Sequence, residues 1–343
     1  MDYLKEDLEL LADYINAEGI TRKHLFVTGG TGFIGSLLTK AFLTANRIYG
    51  LENTVTVLVR SMEKAEEVYN GWAQCGLRFL PGDVTHLNVS EKYHYIIHTA
   101  SPTASRYFLT HPAEVLDINY QGTRQILELA KACDGARTVC LSSMEAFGIT
   151  QAGGKRLSEK DLGYIDLTSI RSCYSEGKRV MELMCRCYSE EYNIHVCAAR
   201  LAQTFGAGVL PTDNRVFAQF ARSAGKGENI VLHTTGGSMG NYCYTRDAVR
   251  AVLTILLKGT SGEVYTVVNE SATMMIREMA ELVSQTISNG RSKVVFDIPP
   301  ENSYGFAPET KMKLSAEKLR ALGWEPEVGL ADMYRRMLPY IAL

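Results

Sequence analysis

The sequence has no cysteine pair at metal-ligand spacing, no long hydrophobic run and almost no net charge. Its length of 343 residues, with eight cysteines and no C-x-x-C pair, excludes a small disulfide- or metal-held scaffold. Lys and Arg number 36 against 38 Asp and Glu, a net charge of −2, which excludes a polyelectrolyte surface for nucleic acid. No apolar run approaches the ~18 residues that span a bilayer. We therefore expect a cytoplasmic protein with reduced thiols, no bound metal, and neither nucleic acid nor membrane as a partner.

What the sequence does contain is an alternation of short apolar runs and longer helical patterns. Such alternation predicts βαβ units and a parallel sheet covered on both faces, an α/β fold of the Rossmann type. The first 19 residues are acidic, and their leucines recur at helical spacing, which predicts an amphipathic helix rather than an export signal. The strands are predicted at 24–29, 55–60, 77–83, 93–101, 136–143 and 195–201.

After about residue 203 the rhythm becomes irregular, and glycine-rich loops separate isolated helices. We therefore predict two domains. Residues 1–203 form the N-terminal helix and a dinucleotide-binding domain, with 236–261 packing back on it. Residues 204–235 and 262–343 form a smaller, mostly C-terminal α/β domain that binds the substrate.

A glycine-rich loop follows the first predicted strand. Gly29, Gly32 and Gly35 have the spacing GxxGxxG, with a helix predicted from Ser36. In this context the first glycine permits a tight turn, the second lets backbone approach a pyrophosphate, and the third lets the helix pack on the strand. The strand before the loop and the helix after it favour a dinucleotide site over a structural turn.

The identity of the dinucleotide depends on the end of the second strand. Arg60 stands where NAD-preferring sites usually have an acid for the ribose 2′-hydroxyl, and a guanidinium suits a 2′-phosphate, so NAD and NADP both stay open. Asp83 and Val84 end the third strand near the adenine. The full set of predicted cofactor contacts is Gly29, Gly32, Phe33, Ile34, Gly35, Arg60, Asp83, Val84, Thr99, Ala100, Ser101, Tyr174, Lys178 and Arg200.

Tyr174 and Lys178 lie four residues apart at the start of a predicted helix, so both side chains project from one face. An ammonium beside a phenol favours the phenolate and lowers a pKa that is ordinarily ~10. Their spacing alone decides nothing. Its value comes from the preceding segment, which includes Ser143 and Glu145 at the carboxyl end of the fifth strand, where open α/β sheets bind ligands.

Further segments carry a resemblance to a known family. Residues 98–105 match the pattern HxASPxAS, residues 119–123 match NxxGT, residues 171–179 match the long pattern RSCYxEGKR, and residues 322–326 read LGWEP. On these segments the chain resembles the extended short-chain dehydrogenase/reductases of the NAD-dependent epimerase/dehydratase family, which act on nucleotide sugars. Within the family it is most similar to the UDP-glucuronate decarboxylase branch.

The resemblance implies catalysis through a 4-keto sugar. Tyr174 would take the proton of the sugar 4-hydroxyl, Lys178 would lower the pKa of that tyrosine and hold the nicotinamide ribose, Ser143 would share the hydroxyl proton, and Glu145 would assist the step that follows oxidation. The predicted catalytic residues are therefore Tyr174, Lys178, Ser143 and Glu145. The predicted substrate contacts are Pro102, Ser105, Tyr107, Glu145, Gln203, Arg215 and Tyr242.

Three departures from the family pattern concern the substrate. Met144 precedes Glu145 where dehydratases have Asp-Glu, which argues against a simple 4,6-dehydratase. Residues 305–308, GFAP, replace a segment whose arginine lies by the sugar carboxylate in decarboxylases. Gly240 stands where an arginine grips the nucleotide diphosphate, and a bidentate arginine is among the strongest diphosphate contacts. Arg215 is the candidate to replace it.

These observations leave three functions open. The first is oxidation of a nucleotide-linked sugar at C4, of the decarboxylase or epimerase type. The second is a net NADPH-dependent reduction of a sugar phosphate or nucleotide-linked keto sugar, and the third is a non-catalytic nucleotide-binding protein. The apolar residues on more than one face of the helices near 113–132 and 174–190 further predict a homodimer.

Overall fold

The computed structural model describes residues 2–150, 154–299 and 309–341. Its helices are α1 (Tyr3–Ala17), α2 (Phe33–Tyr49), α3 (Met62–Val68), α4 (Ser105–Thr110), α5 (Pro112–Asp117), α6 (Thr123–Ala132), α7 (Ser172–Tyr192), α8 (Val216–Lys226), α9 (Thr245–Lys258), α10 (Ile276–Ser288), α11 (Glu317–Arg320) and α12 (Leu330–Met337). Its strands are β1 (His24–Thr28), β2 (Thr54–Val59), β3 (Leu77–Pro81), β4 (Tyr95–His98), β5 (Arg137–Ser143), β6 (His195–Leu201), β7 (Gln203–Phe205), β8 (Ile230–Leu232), β9 (Met239–Tyr244), β10 (Val264–Val267), β11 (Asn269–Met275) and β12 (Val294–Phe296).

Seven parallel strands form the main sheet, in the order β10-β6-β5-β4-β1-β2-β3. The central strands are buried on both faces, as expected for parallel strands that read as continuous apolar runs. The predicted α/β Rossmann-type fold is confirmed. The strand β4 is shorter than the predicted 93–101, because the chain leaves the sheet after His98.

The strand order reverses direction beside β1, which pairs with β2 on one side and β4 on the other. The connections from these strands leave toward opposite faces, so a crevice opens at their carboxyl ends. Helices α1, α2 and α9 cover one face of the sheet and share a buried core with it, whereas α6 and α7 cover the other face. This arrangement places the ends of β1, β4 and β5 around one crevice.

The helical segment predicted near 113–132 contains one turn of π-helix at Ile118–Gly122, between α5 and α6. The π-turn carries Asn119, which is buried and accepts a hydrogen bond from Ser101 (Oγ to Oδ1, 3.4 Å). A Cβ atom on Gly177 of α7 would lie 3.0 Å from the Asn119 amide nitrogen. The π-turn and Gly177 thus bring α7 close to the end of β4, as π-bulges at functional sites often do.

The later segments build a second, smaller core. The strands β7, β9 and β11 form a three-stranded sheet, β8 and β12 form a two-stranded one, and α8, α10 and α12 pack with them. Two boundaries differ from the predicted ones. The strand β10, predicted in the substrate domain, is the edge of the main sheet because it pairs with β6. In the segment 236–261, α9 does pack on the main sheet, but β9 belongs to the small sheet. Residues 300–308 and 342–343 of the predicted domain lie outside the described residues.

The N-terminal helix α1 contacts both parts of the molecule. Leu8, Leu11 and Ile15 belong to the core under the main sheet. Near its start, Glu6 accepts a hydrogen bond from Arg336 of α12 at 2.9 Å, and the Asp2 carboxylate accepts one from Tyr340. The helix is therefore tied at one end to the C-terminal segment and packs along the dinucleotide-binding part.

Neither a membrane span nor a disulfide is found in the part of the chain that the structure describes. No helix there is long and apolar enough to cross a bilayer. All eight cysteines are free thiols, and six of them are buried. Five of these six belong to the hydrophobic cores on the two faces of the main sheet.

Asp7 is a buried carboxylate of α1, at the place where this helix contacts β9, α9 and α12. Its carboxylate accepts hydrogen bonds from Tyr244 (2.5 Å) and Arg246 (3.3 Å), with Arg336 at 3.4 Å. Burial raises the pKa of Asp7 to about 6, although Tyr244 and the two arginines oppose this rise. The folded protein therefore binds a proton that the unfolded chain releases between the two pKa values. The stability supplied by this group falls as the pH rises through that window.

This linkage predicts the effect of Asp7→Asn. The free energy of unfolding of the wild type, relative to that of the variant, should fall by about 3 kcal/mol between about pH 4 and about pH 7. Urea unfolding across this range measures the difference. Asp13→Asn, which changes an exposed carboxyl of the same helix, is the matched control. A difference between wild type and Asp7→Asn that is constant with pH would contradict the assignment.

Candidate active site

The glycine loop between β1 and α2 is packed so closely that side chains are excluded. Gly29 has a φ of +66°, and a Cβ there would lie 2.6 Å from Thr99 Oγ1. A Cβ on Gly35 would lie 2.5 Å from the Gly29 carbonyl oxygen. Gly32 caps α2 without any side-chain hydrogen bond. The first N–H groups of α2, on Phe33 and its neighbours, are thus presented to the crevice without a side-chain cap, which fits the pyrophosphate of a dinucleotide.

The glycine loop and the start of α2 form a cradle, residues 29–35, and the end of β4 borders it. Thr99 Oγ1 donates to the Thr28 carbonyl at 2.7 Å, and the Ala100 N–H donates to Thr28 Oγ1 at 3.3 Å. His98 hydrogen-bonds the same threonine hydroxyl at 2.7 Å, and burial lowers the pKa of this histidine to about 3, so its ring is neutral. These contacts hold the predicted cofactor residues Thr99, Ala100 and Ser101 beside the glycine loop.

Arg60 and Asp83 lie at the ends of β2 and β3, as predicted. The Asp83 carboxylate accepts hydrogen bonds from the N–H and the hydroxyl of Thr85, at 2.8 and 2.6 Å. Burial opposes its ionisation, but these bonds and the charge of Arg60 keep the pKa of Asp83 below its usual range. Arg60 is exposed and Val84 is buried. The guanidinium is therefore open to a ligand at the adenosine end of the cradle.

Ser143, Tyr174 and Lys178 meet at the carboxyl end of β5. Tyr174 and Lys178 are both buried in α7, and the Lys178 ammonium donates to the Leu141 carbonyl at 2.8 Å. The Tyr174 ring stacks on Phe108 of α4, with 4.3 Å between ring centroids and an interplanar angle of 11°. The structure thus assembles the predicted serine, tyrosine and lysine in one place.

Burial controls the protonation of these groups. It raises the pKa of Tyr174 to about 12, which the hydrogen bond with Ser143 opposes, and it lowers the pKa of Lys178 to about 8. The Lys178 nitrogen lies 5.7 Å from the Tyr174 ring centroid, and the charges that act on the phenol here are those of Glu145 and Arg171. In the protein alone the phenol is therefore neutral at physiological pH. The lowering of its pKa by Lys178 stays a prediction for the complex with cofactor.

Glu145 lies in the short 3₁₀ turn after Ser143 and is held by Arg171, which is not among the predicted site residues. Arg171 makes two hydrogen bonds with the Glu145 carboxylate, at 2.7 and 3.0 Å. Such a bidentate pair is stronger and more directional than a single contact. In the sequence, Arg171 is marked only as the first residue of the RSCYxEGKR block. Nothing in the sequence shows with which acidic side chain it pairs.

Arg200 was predicted to contact the cofactor, and the structure disagrees. Its guanidinium is buried and bonds the Glu182 carboxylate through Nε (2.8 Å) and Nη2 (2.6 Å), while Nη1 donates to the Glu159 carbonyl. Ser142 donates to the same glutamate at 2.5 Å. Every nitrogen of Arg200 is thus engaged inside the protein, where it joins β6 to α7.

The predicted substrate residues fall into two groups. Pro102, Ser105 and Tyr107 lie at the end of β4 and the start of α4, and the Tyr107 ring stacks on His111. Arg215 starts α8 but is paired with Asp213, through Nη2 at 2.5 Å and Nε at 3.1 Å. An anion at this position would have to share the guanidinium with that carboxylate.

Gln203 and Tyr242 are register partners on β7 and β9, and both have buried oxygen atoms without a hydrogen-bond partner. Tyr242 is fully buried in the second core, so its side chain could contact a substrate, as predicted, only if this core opened. Its hydroxyl lies where a Cβ on Gly240 would be. The phenol therefore occupies the space beside Gly240, the position for which the family pattern implies an arginine.

Within the described ranges, the structure contains no cluster of three or more His, Cys, Asp or Glu side chains that could hold a metal ion. The segment 305–308, which replaces the family's carboxylate-binding arginine, lies outside the described residues.

Comparison with known proteins gives a consistent result. The family model described as "NAD dependent epimerase/dehydratase family" matches residues 25–269, more than half of the chain. UDP-glucuronic acid decarboxylase 1 of Danio rerio is 28% identical over 326 residues, which cover 94% of this chain and 73% of that protein.

Solved structures share the fold over nearly the whole chain. An epimerase from Methanothermobacter thermautotrophicus has a TM-score of 0.76 and 22% identity, covering 97% of this chain and 94% of its own. The UDP-glucose 4-epimerase of Thermotoga maritima, solved with UDP-glucose, has a TM-score of 0.71 and 20% identity, covering 92% and 98%.

The cradle geometry predicts the effect of Gly35→Ala. The added methyl would collide with the Gly29 carbonyl and Thr99 Oγ1, so the loop must shift and the Kd for NAD should rise about tenfold or more. Isothermal titration calorimetry measures this. Gly329→Ala, at a glycine with open space around it, should leave the Kd unchanged. Equal affinity in wild type and Gly35→Ala would show that the loop does not bind the cofactor.

Proposed function

Because this chain belongs to the NAD-dependent epimerase/dehydratase family, we propose that it is an NAD(P)-dependent enzyme that oxidises a nucleotide-linked sugar at C4 and acts through a 4-keto intermediate. The family resemblance deduced from the sequence motifs is confirmed, as are the enzyme class and the nicotinamide cofactor. The proposal specifies the reaction as the decarboxylase or epimerase type.

The observation that carries this proposal is the meeting of Ser143, Tyr174 and Lys178 next to the glycine cradle. When bound, NAD supplies a hydride acceptor at the sugar carbon. The Tyr174 oxygen is then the acceptor for the 4-hydroxyl proton. Ser143 hydrogen-bonds this tyrosine oxygen and would also hydrogen-bond the oxygen of the sugar 4-hydroxyl. Lys178, fixed on the Leu141 carbonyl, contributes a positive charge that favours the phenolate.

Around this centre, we assign the substrate to the crevice bordered by α4 and the end of β5. Ser105 and Tyr107 border it from α4, and Glu145 borders it from the 3₁₀ turn. A nucleotide-linked sugar is supported by the decarboxylase of Danio rerio, which bears UDP-glucuronic acid in its name, and by the UDP-glucose in the epimerase from Thermotoga maritima. Arg215 is the cation we assign to the phosphates.

A second candidate is a net NADPH-dependent reduction of a sugar phosphate or keto sugar. It is favoured by one observation: Arg60 is exposed at the end of β2, where an acid would bind the ribose 2′-hydroxyl of NAD. Steady consumption of NADPH with such a substrate would support this reading. Retention of tightly bound NAD without net cofactor turnover would support the first one.

Replacing the proposed base tests the reaction. With a nucleotide sugar that the wild type converts, found by screening UDP-, CDP-, GDP- and dTDP-sugars, Tyr174→Phe should lower kcat by ~100-fold or more, since general base catalysis contributes on that order. Product formation is followed by liquid chromatography. Tyr164→Phe, an exposed tyrosine of the preceding loop, is the control. Full activity of Tyr174→Phe, or no product from any sugar of the panel, would refute the proposed reaction.

We also propose that the protein is a homodimer in the cytoplasm. The outer surfaces of α5, the π-turn and α7 expose Leu116, Tyr120, Val180 and Leu183, four large apolar side chains on helices that pack against each other. Large exposed apolar side chains on neighbouring helices support an interface at this face. The eight free thiols support a reducing compartment.

Leu183→Glu tests the assembly. Leu183 is 63% exposed, so a charge there is harmless in a monomer but would be buried in a dimer through this face. We expect light scattering to give a dimer for the wild type and a monomer for the variant at micromolar concentration. Leu10→Glu, an exposed leucine of α1, should remain dimeric. A wild-type monomer would contradict the proposal.

A further inference from the structure

An ion pair with no assigned role lies beside the proposed catalytic base. Arg171 and Glu145 are joined by two hydrogen bonds, and their side chains are 41% and 29% exposed. Tyr174, one helical turn after Arg171, is 7% exposed. The pair therefore stands at the border between solvent and the buried phenol.

The positions of both charges are fixed by contacts to the same group of residues. The Glu145 N–H donates to Ser143 Oγ at 3.2 Å, and Ser143 is the hydrogen-bond partner of the Tyr174 phenol. The Arg171 guanidinium lies 5.7 Å from the ring centroid of Phe108, whose face stacks on Tyr174. Ser175 Oγ also approaches the Glu145 carboxylate, at 3.4 Å. The carboxylate is thus held in place by α7 and by its own turn.

The elements packed around the phenol contribute a short set of charges. The positive charges are those of Arg171, immediately before α7, and of Lys178 in α7. The negative charge is that of Glu145 in the 3₁₀ turn, whereas α4 presents only the uncharged ring of Phe108. Glu145 opposes formation of the phenolate, whereas Arg171 favours it. A unit charge near a buried phenol changes its ionisation more than it would in water, because the surroundings screen the charge less. Glu145 and Arg171 act on the phenol with opposite signs, so each offsets part of the effect of the other.

We propose that Arg171 is a positioning residue, which anchors Glu145 through the bidentate contact and offsets the charge of that carboxylate beside the tyrosine that receives the substrate proton. This inference rests on the proposed function in one respect, the assignment of Tyr174 as the base. It assigns to Arg171 a part that acts through Glu145 and Tyr174 rather than through direct contact with the reacting atoms. It also explains how an acid can be retained next to a group that must become an anion.

The test measures the ionisation of Tyr174 directly. The NAD-loaded protein, with 13C at the tyrosine ring carbon that bears the hydroxyl, is titrated by NMR, and Tyr174→Phe identifies the signal. Removing the positive charge in Arg171→Gln should raise the pKa of Tyr174 by about one unit, and removing the negative charge in Glu145→Gln should lower it by about as much. The double variant should return it to near the wild-type value.

Two further variants separate charge from structure. Arg171→Lys keeps the charge, so the pKa of Tyr174 should stay closer to the wild-type value than in Arg171→Gln. Arg186→Gln removes an arginine of α7 about four turns after Arg171, paired with Glu190 and Glu263, and should leave the titration unchanged. Shifts of the same sign in Arg171→Gln and Glu145→Gln would overturn the proposal, because a structural disturbance does not depend on the sign of the charge removed. A shift in Arg186→Gln as large as that in Arg171→Gln would also overturn it.

The outcome is independent of whether a substrate has been found. Opposite shifts in the two single variants, without turnover of any nucleotide sugar, would support the role of Arg171 and refute the proposed function. Turnover by the wild type, with the same phenol titration in all variants, would do the reverse. Where turnover is found, the acid limb of the pH profile of kcat should move with the pKa of Tyr174 in each variant.

Discussion

The buried ion pair between Glu182 and Arg200 fixes α7, the helix that carries Tyr174 and Lys178. Tyr174, Lys178 and Glu182 follow one another at intervals of four residues, so they lie along one face of α7. Arg200, from β6, holds the last of them with two hydrogen bonds. Losing either charge would leave its partner buried and uncompensated, at a cost of about 3–5 kcal/mol. The depth of α7 on the sheet, and with it the position of the tyrosine over the end of β5, follows from this pair.

The same burial that orders the tyrosine and the lysine opposes their charged forms. It raises the pKa of Tyr174 and lowers that of Lys178. A phenol in this position is kept neutral until charges near it change the balance. The protein supplies two such charges at the border of the crevice, Glu145 and Arg171, and holds them together. The ionisation of Tyr174 therefore depends on these two charges at the edge of the crevice as well as on its own burial.

Much of the fold could be predicted because buried parallel strands are recognisable from their own residues, without knowledge of their partners. The strands β1, β5 and β6 appear as continuous apolar runs, and the glycine spacing marks the turn after the first of them. The strand β10 was misplaced because its membership of the main sheet depends on pairing with β6, some sixty residues earlier. The roles of Arg200 and Arg171 were equally hidden, since each is decided by an acid 18 or 26 residues away. Local pattern places a residue at a strand end, whereas its partner is chosen by the tertiary fold.

Gly240 and Tyr242 constrain each other on β9. The two residues lie on the same face of β9, and a side chain on Gly240 would collide with the buried Tyr242 hydroxyl. An arginine could not occupy position 240 unless Tyr242 moved from the second core, so a single substitution cannot place there the arginine that the family pattern implies. Arg215 is held by Asp213, whose pKa is kept below its usual range by that guanidinium despite burial. A phosphate at Arg215 must compete with this carboxylate, which favours ligands that bring more negative charge than one carboxylate does.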